Sequence, residues 1–296
     1  MKTITVIGAW NTDILCHTDN PFQPGDSIIG DIRSYPGGVG RNVFINLARL
    51  DNHVRFLTLA PPKQKSINHL SSFDVRIRRK KGPSPRYVAI HDRQGELIAA
   101  INDMRLFERA TIDDFGDITD LMDSSDAFVF DANLSEDCLW DLIMTTQEKT
   151  LFADAVSTEK MGRFIPLLGE LDYLKINQIE ADALKTACGI DELEKIAKSY
   201  DIGLVVTSGK DPVILYKDGK TYQHEVYPAK GPLYTNGAGD AFFAGFIQGT
   251  MKRFHPRKAL AFGAFLAMMT LRVRQADNPT INQQTITSFE EVYHDV

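Results

Sequence analysis

Cysteine is scarce in this chain: Cys16, Cys138 and Cys188 are the only three in 296 residues, and no Cys-x-x-Cys pair occurs. That excludes a disulfide framework and a cysteine zinc site, and it makes a reducing cytoplasm the expected location. A basic excess is also missing. The formal net charge of −6 argues against a nucleic-acid or membrane-surface partner. The one basic run, Arg76-Ile77-Arg78-Arg79-Lys80-Lys81, has no aromatic partners and reads as a solvated strand end or loop. No apolar run approaches the ~20 residues of a membrane span. The longest, Ala259 to Leu271, lies between Lys258 and Arg272 and reads as a core helix. The apolar run in Met1–Gly8 is too short for a signal peptide and reads as a first buried strand. No Gly-x-x-x-x-Gly-Lys-Ser/Thr occurs, which excludes a P-loop nucleotide site.

A hydrophobic content of 43% over this length can bury a sizeable core, either as one large α/β domain or as two smaller ones. The most pointed stretch is Tyr234-Thr235-Asn236-Gly237-Ala238-Gly239-Asp240, which runs directly into an apolar helical pattern. Gly237, Ala238 and Gly239 carry almost no side chain, so their backbone N–H groups can converge on one oxyanion. A helix opening at Asp240 adds its positive dipole end. Asp240 itself can cap that helix or take a proton from a hydroxyl attacking phosphorus.

Thr235–Asp240 resembles the second signature of the ribokinase-like (PfkB) carbohydrate kinases. Gly37-Gly38-Val39-Gly40-Arg41-Asn42, followed by Leu47-Ala48-Arg49-Leu50, resembles the first, in the right order and at the right distance. The resemblance implies one ribokinase-like domain over residues 1–296, a three-layer αβα sandwich with a small β-sheet lid. It implies ATP and Mg²⁺ as cofactors, with K⁺ a further candidate. It also assigns Gly237, Ala238 and Gly239 to an anion hole and Asp240 to the catalytic base.

Asn11 and Asp13 follow the first strand, where the family grips its sugar, and Asp13 could equally be a turn-forming residue. Gly37 and Gly38 can bring backbone close to a sugar, and Asn42 at the mouth of a helix Val43–Leu50 can bond hydroxyls or act as an N-cap. A dinucleotide fingerprint is excluded there by spacing. Residues 14–35, broken by Pro21, Pro24, Gly25 and Gly30, and residues 86–101, a hairpin around Asp92-Arg93-Gln94-Gly95, are expected to form the lid. Its β edges suit a homodimer.

The middle of the chain alternates as βαβα units, with helices expected over Ser135–Glu148 and Lys160–Leu168. Asn177-Gln178-Ile179-Glu180 matches the family's Asn-x-x-Glu, implying Asn177 at the nucleotide and Glu180 at hydrated Mg²⁺, although the same pair is ordinary capping chemistry. Thr207 and Gly209, with Thr235 and Asn278, complete the implied nucleotide contacts. Ala99–Met104 and Phe130–Ser135, with the first signature, resemble the branch of the family that phosphorylates pseudouridine. That implies substrate contacts from Asn102, whose amide offers the donor and acceptor a uracil edge needs, and from Asp131. Ribose, fructose or adenosine as acceptor, and a silent sugar- or nucleotide-binding regulator, are the alternatives. The chain departs from the family at Tyr234, Ile176 and Pro212, and over Leu59–Ile77, where one helix is shortened to a Ser66–Leu70 pattern.

Overall fold

The computed structural model describes residues 2–23, 25–51, 53–62, 70, 72–229 and 234–293. The expected Ser66–Leu70 helical pattern falls largely outside them; Leu70 itself is a buried core residue.

In chain order the elements are β1 (Ile4–Ile7), β2 (Asn11–His17), β3 (Asp31–Gly37), α1 (Val39–Leu50), β4 (Val54–Ala60), β5 (Asp74–Arg79), β6 (Arg86–His91) and β7 (Leu97–Asp103). Then follow α2 (Arg105–Glu108), α3 (Thr119–Ser124), β8 (Ala127–Asp131), α4 (Glu136–Thr146), β9 (Thr150–Asp154), α5 (Thr158–Met161), β10 (Tyr173–Asn177), α6 (Gln178–Cys188) and α7 (Leu193–Ser199). The chain ends with β11 (Gly203–Thr207), β12 (Val213–Lys217), β13 (Lys220–His224), α8 (Ala238–Met251), α9 (Pro256–Thr270) and α10 (Gln284–Val292).

Among the described residues the strands form two sheets. The larger has nine strands in the order β13-β12-β11-β10-β9-β8-β1-β4-β5. It is parallel from β5 to β11, and β12 and β13 are antiparallel additions. The central parallel strands, such as β1 and β8, are apolar on both faces because helices cover both. Ile7, Leu57, Leu59, Phe128 and Phe130 pack into one helical layer with α4 and α6. Ile4, Val6, Val54, Phe56 and Val129, alternating with them, pack into the other, with α1, α8 and α9. The result is the expected αβα sandwich. From β1 the chain passes to β4 on one side and later to β8 on the other, so the order reverses around β1. A crevice opens at the carboxyl ends of strands at such a reversal.

The small sheet has the order β3-β2-β6-β7. It is larger than residues 14–35 and 86–101: β2 starts at Asn11 and β3 runs to Gly37, so the lid is rooted directly on β1 and α1. Asn11, Asp13 and Gly37 are lid-strand residues rather than members of a loop after β1. The hairpin turn has Gly95 at φ 85°, as its sequence requires.

Three boundaries differ from expectation. α1 starts at Val39, not Val43, because Gly38 at φ 103° takes the N-cap position and its carbonyl accepts from Asn42 N at 2.8 Å. Asn42 is therefore inside the first turn and is not a cap. α8 likewise opens at Ala238 on a Gly237 cap at φ 77°, placing Asp240 within its first turn. The expected Lys160–Leu168 helix is one α-turn followed by a 3₁₀ segment, Gly162–Glu170, since Pro166 has no N–H to give and crowds the preceding turn. The basic run is the carboxyl end of β5, an edge strand, with Lys80 and Lys81 just beyond it, so of the two readings the solvated strand end holds and the loop does not; Arg76 pairs with Asp120 at 2.6 Å, and Lys80 pairs with Asp114 at 2.6 Å.

α8 and α9 meet through glycine. A Cβ on Gly245 would lie 2.9 Å from Gly263 Cα and from the Phe262 carbonyl, closer than packed atoms tolerate. Gly245→Ala is expected to cost about 1–3 kcal/mol by overpacking, seen as a lowered midpoint in thermal unfolding.

Candidate active site

A cleft of about 590 Å³ opens between the lid and the strand ends. Asn11, Asp13, Gly38, Asn42, Asn102, Thr235, Gly237 and Asp240 line it together, although they span more than two hundred positions of sequence.

At its floor the two glycine signatures meet. Asn42 Nδ2 on α1 donates to Asp240 Oδ2 on α8 at 2.8 Å. Gly237 has no room for a side chain, since a Cβ there would run into the Ala276 backbone. The first amides of α8 have no intrahelical acceptor; that of Ala238 donates to Thr235 O at 3.3 Å, and open donors at a helix N-terminus are the chemistry an anion needs. Asp240 is half-buried and its pKa is pushed up to about 7, first by burial and then by the negative charge of Asp154. Lys175 and the Asn42 hydrogen bond act the other way. A carboxyl group titrating there can accept a proton from a hydroxyl near neutral pH.

Asp13 reaches the cleft from β2. Asn11 Nδ2 donates to its Oδ1 at 2.8 Å. Burial raises its pKa, opposed by hydrogen bonds from Asn11 and Asn236 and by the charge of Arg41. The Asn236 contact ties the second signature to the lid. Gly37 does not line the cleft; its backbone lies against the Asp13 carboxylate, where any side chain would collide.

The remaining expected residues stand elsewhere. Asn177 and Thr207 are partners at the ends of the adjacent strands β10 and β11, and Gly209 turns just beyond at φ 55°. Asn177 and Glu180 form a reciprocal capping box on α6, with Asn177 N donating to Glu180 Oε2 at 2.7 Å and Glu180 N to Asn177 Oδ1 at 2.9 Å. Among the described residues no three His, Cys, Asp or Glu side chains converge as a metal site. A single carboxylate suits only an ion held mainly by phosphate and water, as Mg²⁺ commonly is.

Two assignments need correction. Asp131 is 1% exposed and does not line the cleft. Its Oδ2 accepts from Ala9 N at 2.8 Å and Gly40 N at 2.7 Å, and its Oδ1 from Asn133 N at 2.9 Å. These amides engage the carboxylate and leave it no face toward a substrate. Asn278 is equally enclosed: its Nδ2 donates to Met269 O at 2.9 Å and its Oδ1 accepts from Thr280 N at 2.8 Å, holding the turn after α9 rather than facing a nucleotide.

Several site groups went unseen in the sequence. Asp154, at the end of β9, and Lys175, its partner in the middle of β10, form a buried ion pair at 3.1 Å, and the Lys175 ammonium would lie 3.4 Å from a Cβ on Gly239. A charged residue closing an apolar parallel strand is a signal that marks Asp154. Arg41 donates to Asn42 Oδ1 at 3.0 Å and to Asp277 Oδ1 at 2.9 Å, so it fixes which way the Asn42 amide faces. Asn133 and Lys160 also line the cleft.

Fold and cleft together define a ribokinase-like α/β protein with a cradle for an anion at its sheet switch point. Residues 1–283 match the pfkB family carbohydrate kinase pattern, and the chain belongs to that family as a phosphotransferase. It is 25% identical to pseudouridine kinase of Escherichia coli over 97% of this chain and 96% of the relative. Among solved structures, a carbohydrate kinase from Agrobacterium tumefaciens superposes with a TM-score of 0.79 at 27% identity, covering 98% of this chain and 97% of that one. Arabidopsis thaliana ribokinase complexed with ribose and ATP superposes with a TM-score of 0.78 at 18% identity, covering 97% and 98%.

Two stability measurements test this electrostatic description. Asp131→Ala leaves three buried amides without an acceptor, at about 1–3 kcal/mol each, so a large fall in unfolding midpoint is expected; a folded, equally stable variant would contradict the structural role. For Asp240, a raised folded pKa means its contribution to stability is complete below the unfolded value and is lost as pH rises through about 7. Asp240→Asn should therefore unfold at higher temperature than the parent at pH 8, with the advantage shrinking toward pH 4.

Proposed function

We propose that this chain transfers the γ-phosphoryl group of Mg·ATP to the 5′-hydroxyl of pseudouridine. The observation that carries the transfer chemistry is Asp240: a carboxylate with a near-neutral pKa, oriented by Asn42, standing in the first turn of α8 beside the anion cradle. Asp13 and Asn11 present acceptors to sugar hydroxyls, and Asp240 takes the proton of the hydroxyl that attacks phosphorus. The Gly237–Gly239 amides balance charge growing on the transferred group, and the nucleotide lies along Asn177, Thr207 and Gly209. Glu180 would be the carboxylate that orients the water shell of Mg²⁺, an ion that would supply charge neutralisation at the phosphates. Little covalent chemistry is asked of the protein, since position and electrostatics dominate phosphoryl transfer. The choice of pseudouridine is supported by the full-length relative of that name and by Asn102 at the cleft wall. A homodimer through the lid edges and a reducing cytoplasmic setting belong to the same proposal, with K⁺ a further candidate cofactor.

ADP release with Mg·ATP and, separately, pseudouridine, uridine, ribose, fructose and adenosine tests it. Turnover confined to pseudouridine is expected; turnover on ribose or adenosine would retain the kinase and discard the base selectivity. Binding without turnover would favour a regulator. Asp240→Asn should reduce turnover by roughly 10²–10⁴ with nucleoside binding little changed, and near-normal turnover would remove Asp240 from its role. The kcat/KM profile should fall below about pH 7 as the base protonates. Asn42→Ala should move that limb to higher pH, because the hydrogen bond it removes favours the carboxylate.

A further inference from the structure

We propose that Lys160 is a specificity-determining residue that donates a hydrogen bond to a carbonyl oxygen of the acceptor's base, with Asn133 holding it in place. The inference deepens the nucleoside-kinase reading above and rests on it.

Lys160 and Asn133 are 4% and 3% exposed, yet both line the cleft that holds Asp240 and Asp13. An ammonium has three N–H donors and no acceptor. Among the described residues a single hydrogen bond to it is found, from Nζ to Asn133 Oδ1 at 2.8 Å, and no carboxylate pairs with it directly. A buried ammonium with one neutral partner is costly unless something else completes its shell. Where the lysine also forms the wall of a cleft, the completing group is a ligand atom.

The character of that atom follows from the surroundings. Burial pushes the Lys160 pKa down, and the charge of Asp131, whose carboxylate accepts from Asn133 N at 2.9 Å, is the strongest influence opposing it. With a counter-charge already supplied, the missing partner is a neutral acceptor, and the anion cradle lies elsewhere, at Gly237–Gly239. The sugar-facing groups Asn11 and Asp13 come from β2, whereas Lys160 and Asn133 follow β9 and β8. Val156, Met104 and Leu97 line the same cleft and offer apolar contact to a flat ring. Because lysine only donates, it favours a ring that presents a carbonyl. Asn102 can read the neighbouring N–H.

The test is a cycle of two ligands against two proteins, read by calorimetric binding. Pseudouridine is compared with the phenyl C-riboside, which keeps the sugar and the carbon–carbon glycosidic bond but has no carbonyl. Lys160→Met is expected to weaken pseudouridine binding by roughly ten- to a hundredfold, the range of hydrogen bonds to a charged group, and to leave phenyl C-riboside binding unchanged. At saturating pseudouridine, kcat should change little while KM rises. Lys160→Arg, which keeps a charged donor, should recover part of the loss.

Equal weakening of both ligands would overturn the inference while leaving the nucleoside reading standing. No weakening of either, or a loss confined to Mg·ATP, would also overturn it. If the parent protein bound neither riboside, the nucleoside reading and this inference would fall together. Should Lys160→Met unfold at markedly lower temperature, Lys160→Gln, which keeps a shorter, neutral donor beside Asn133, serves in the same cycle, with a smaller loss expected that is again confined to pseudouridine.

Discussion

The Asp131 carboxylate is the contact on which the site depends. It sits at the carboxyl end of β8 and collects the amides of Ala9, Gly40 and Asn133, joining the exit of β1, the first turn of α1 and the loop after β8. Gly8 and Gly40 make this possible: a Cβ on Gly40 would lie 2.8 Å from Gly8 Cα, so the two backbones meet with nothing between them. The consequences spread outward. The lid leaves the sheet from this point, α1 starts here and carries Asn42 toward Asp240, and Asn133 turns toward Lys160.

A second constraint governs the chemistry. Asp13, Asp154 and Asp240 are brought within electrostatic reach of one another with Lys175 among them. Like charges gathered in a poorly solvated place push protonation equilibria upward, and here the effect falls on Asp240. The Asp154–Lys175 pair keeps that effect moderate, since an unpaired Asp154 would raise the pKa further. Such a pair is seldom a net source of stability. Its place beneath Gly239 and beside the capping box of α6 suggests that its use is local potential.

The lid and the sandwich divide the labour. On the proposed function, the N-terminus of α8 furnishes an anion cradle and a proton acceptor, features independent of what is phosphorylated. β2, β6 and β7 bring Asn11, Asp13, Tyr87 and Asn102 to the opposite wall, and selectivity can vary there without disturbing the transfer machinery. Because Asn236 touches Asp13, the walls are in contact as well as opposed.

Much of this was legible in the chain itself. Alternating apolar strands and helices marked βαβα units, glycine at 95 marked a turn that needs positive φ, the two signatures named Asp240 and Asn42, and the polar segment after the first strand named Asp13, because backbone conformation and local periodicity are written in short stretches. What the chain could not reveal was which polar groups would be consumed by their neighbours. Asp131 and Asn278 read as ligand contacts and are enclosed scaffolding; Asn177 and Glu180 close on one another; Lys160, Lys175 and Arg41 gave no local sign of reaching the site. Sequence determined the elements and the chemical types available. Only tertiary structure decided which of those groups stayed free, because hydrogen-bond satisfaction and burial depend on partners a hundred or more residues away.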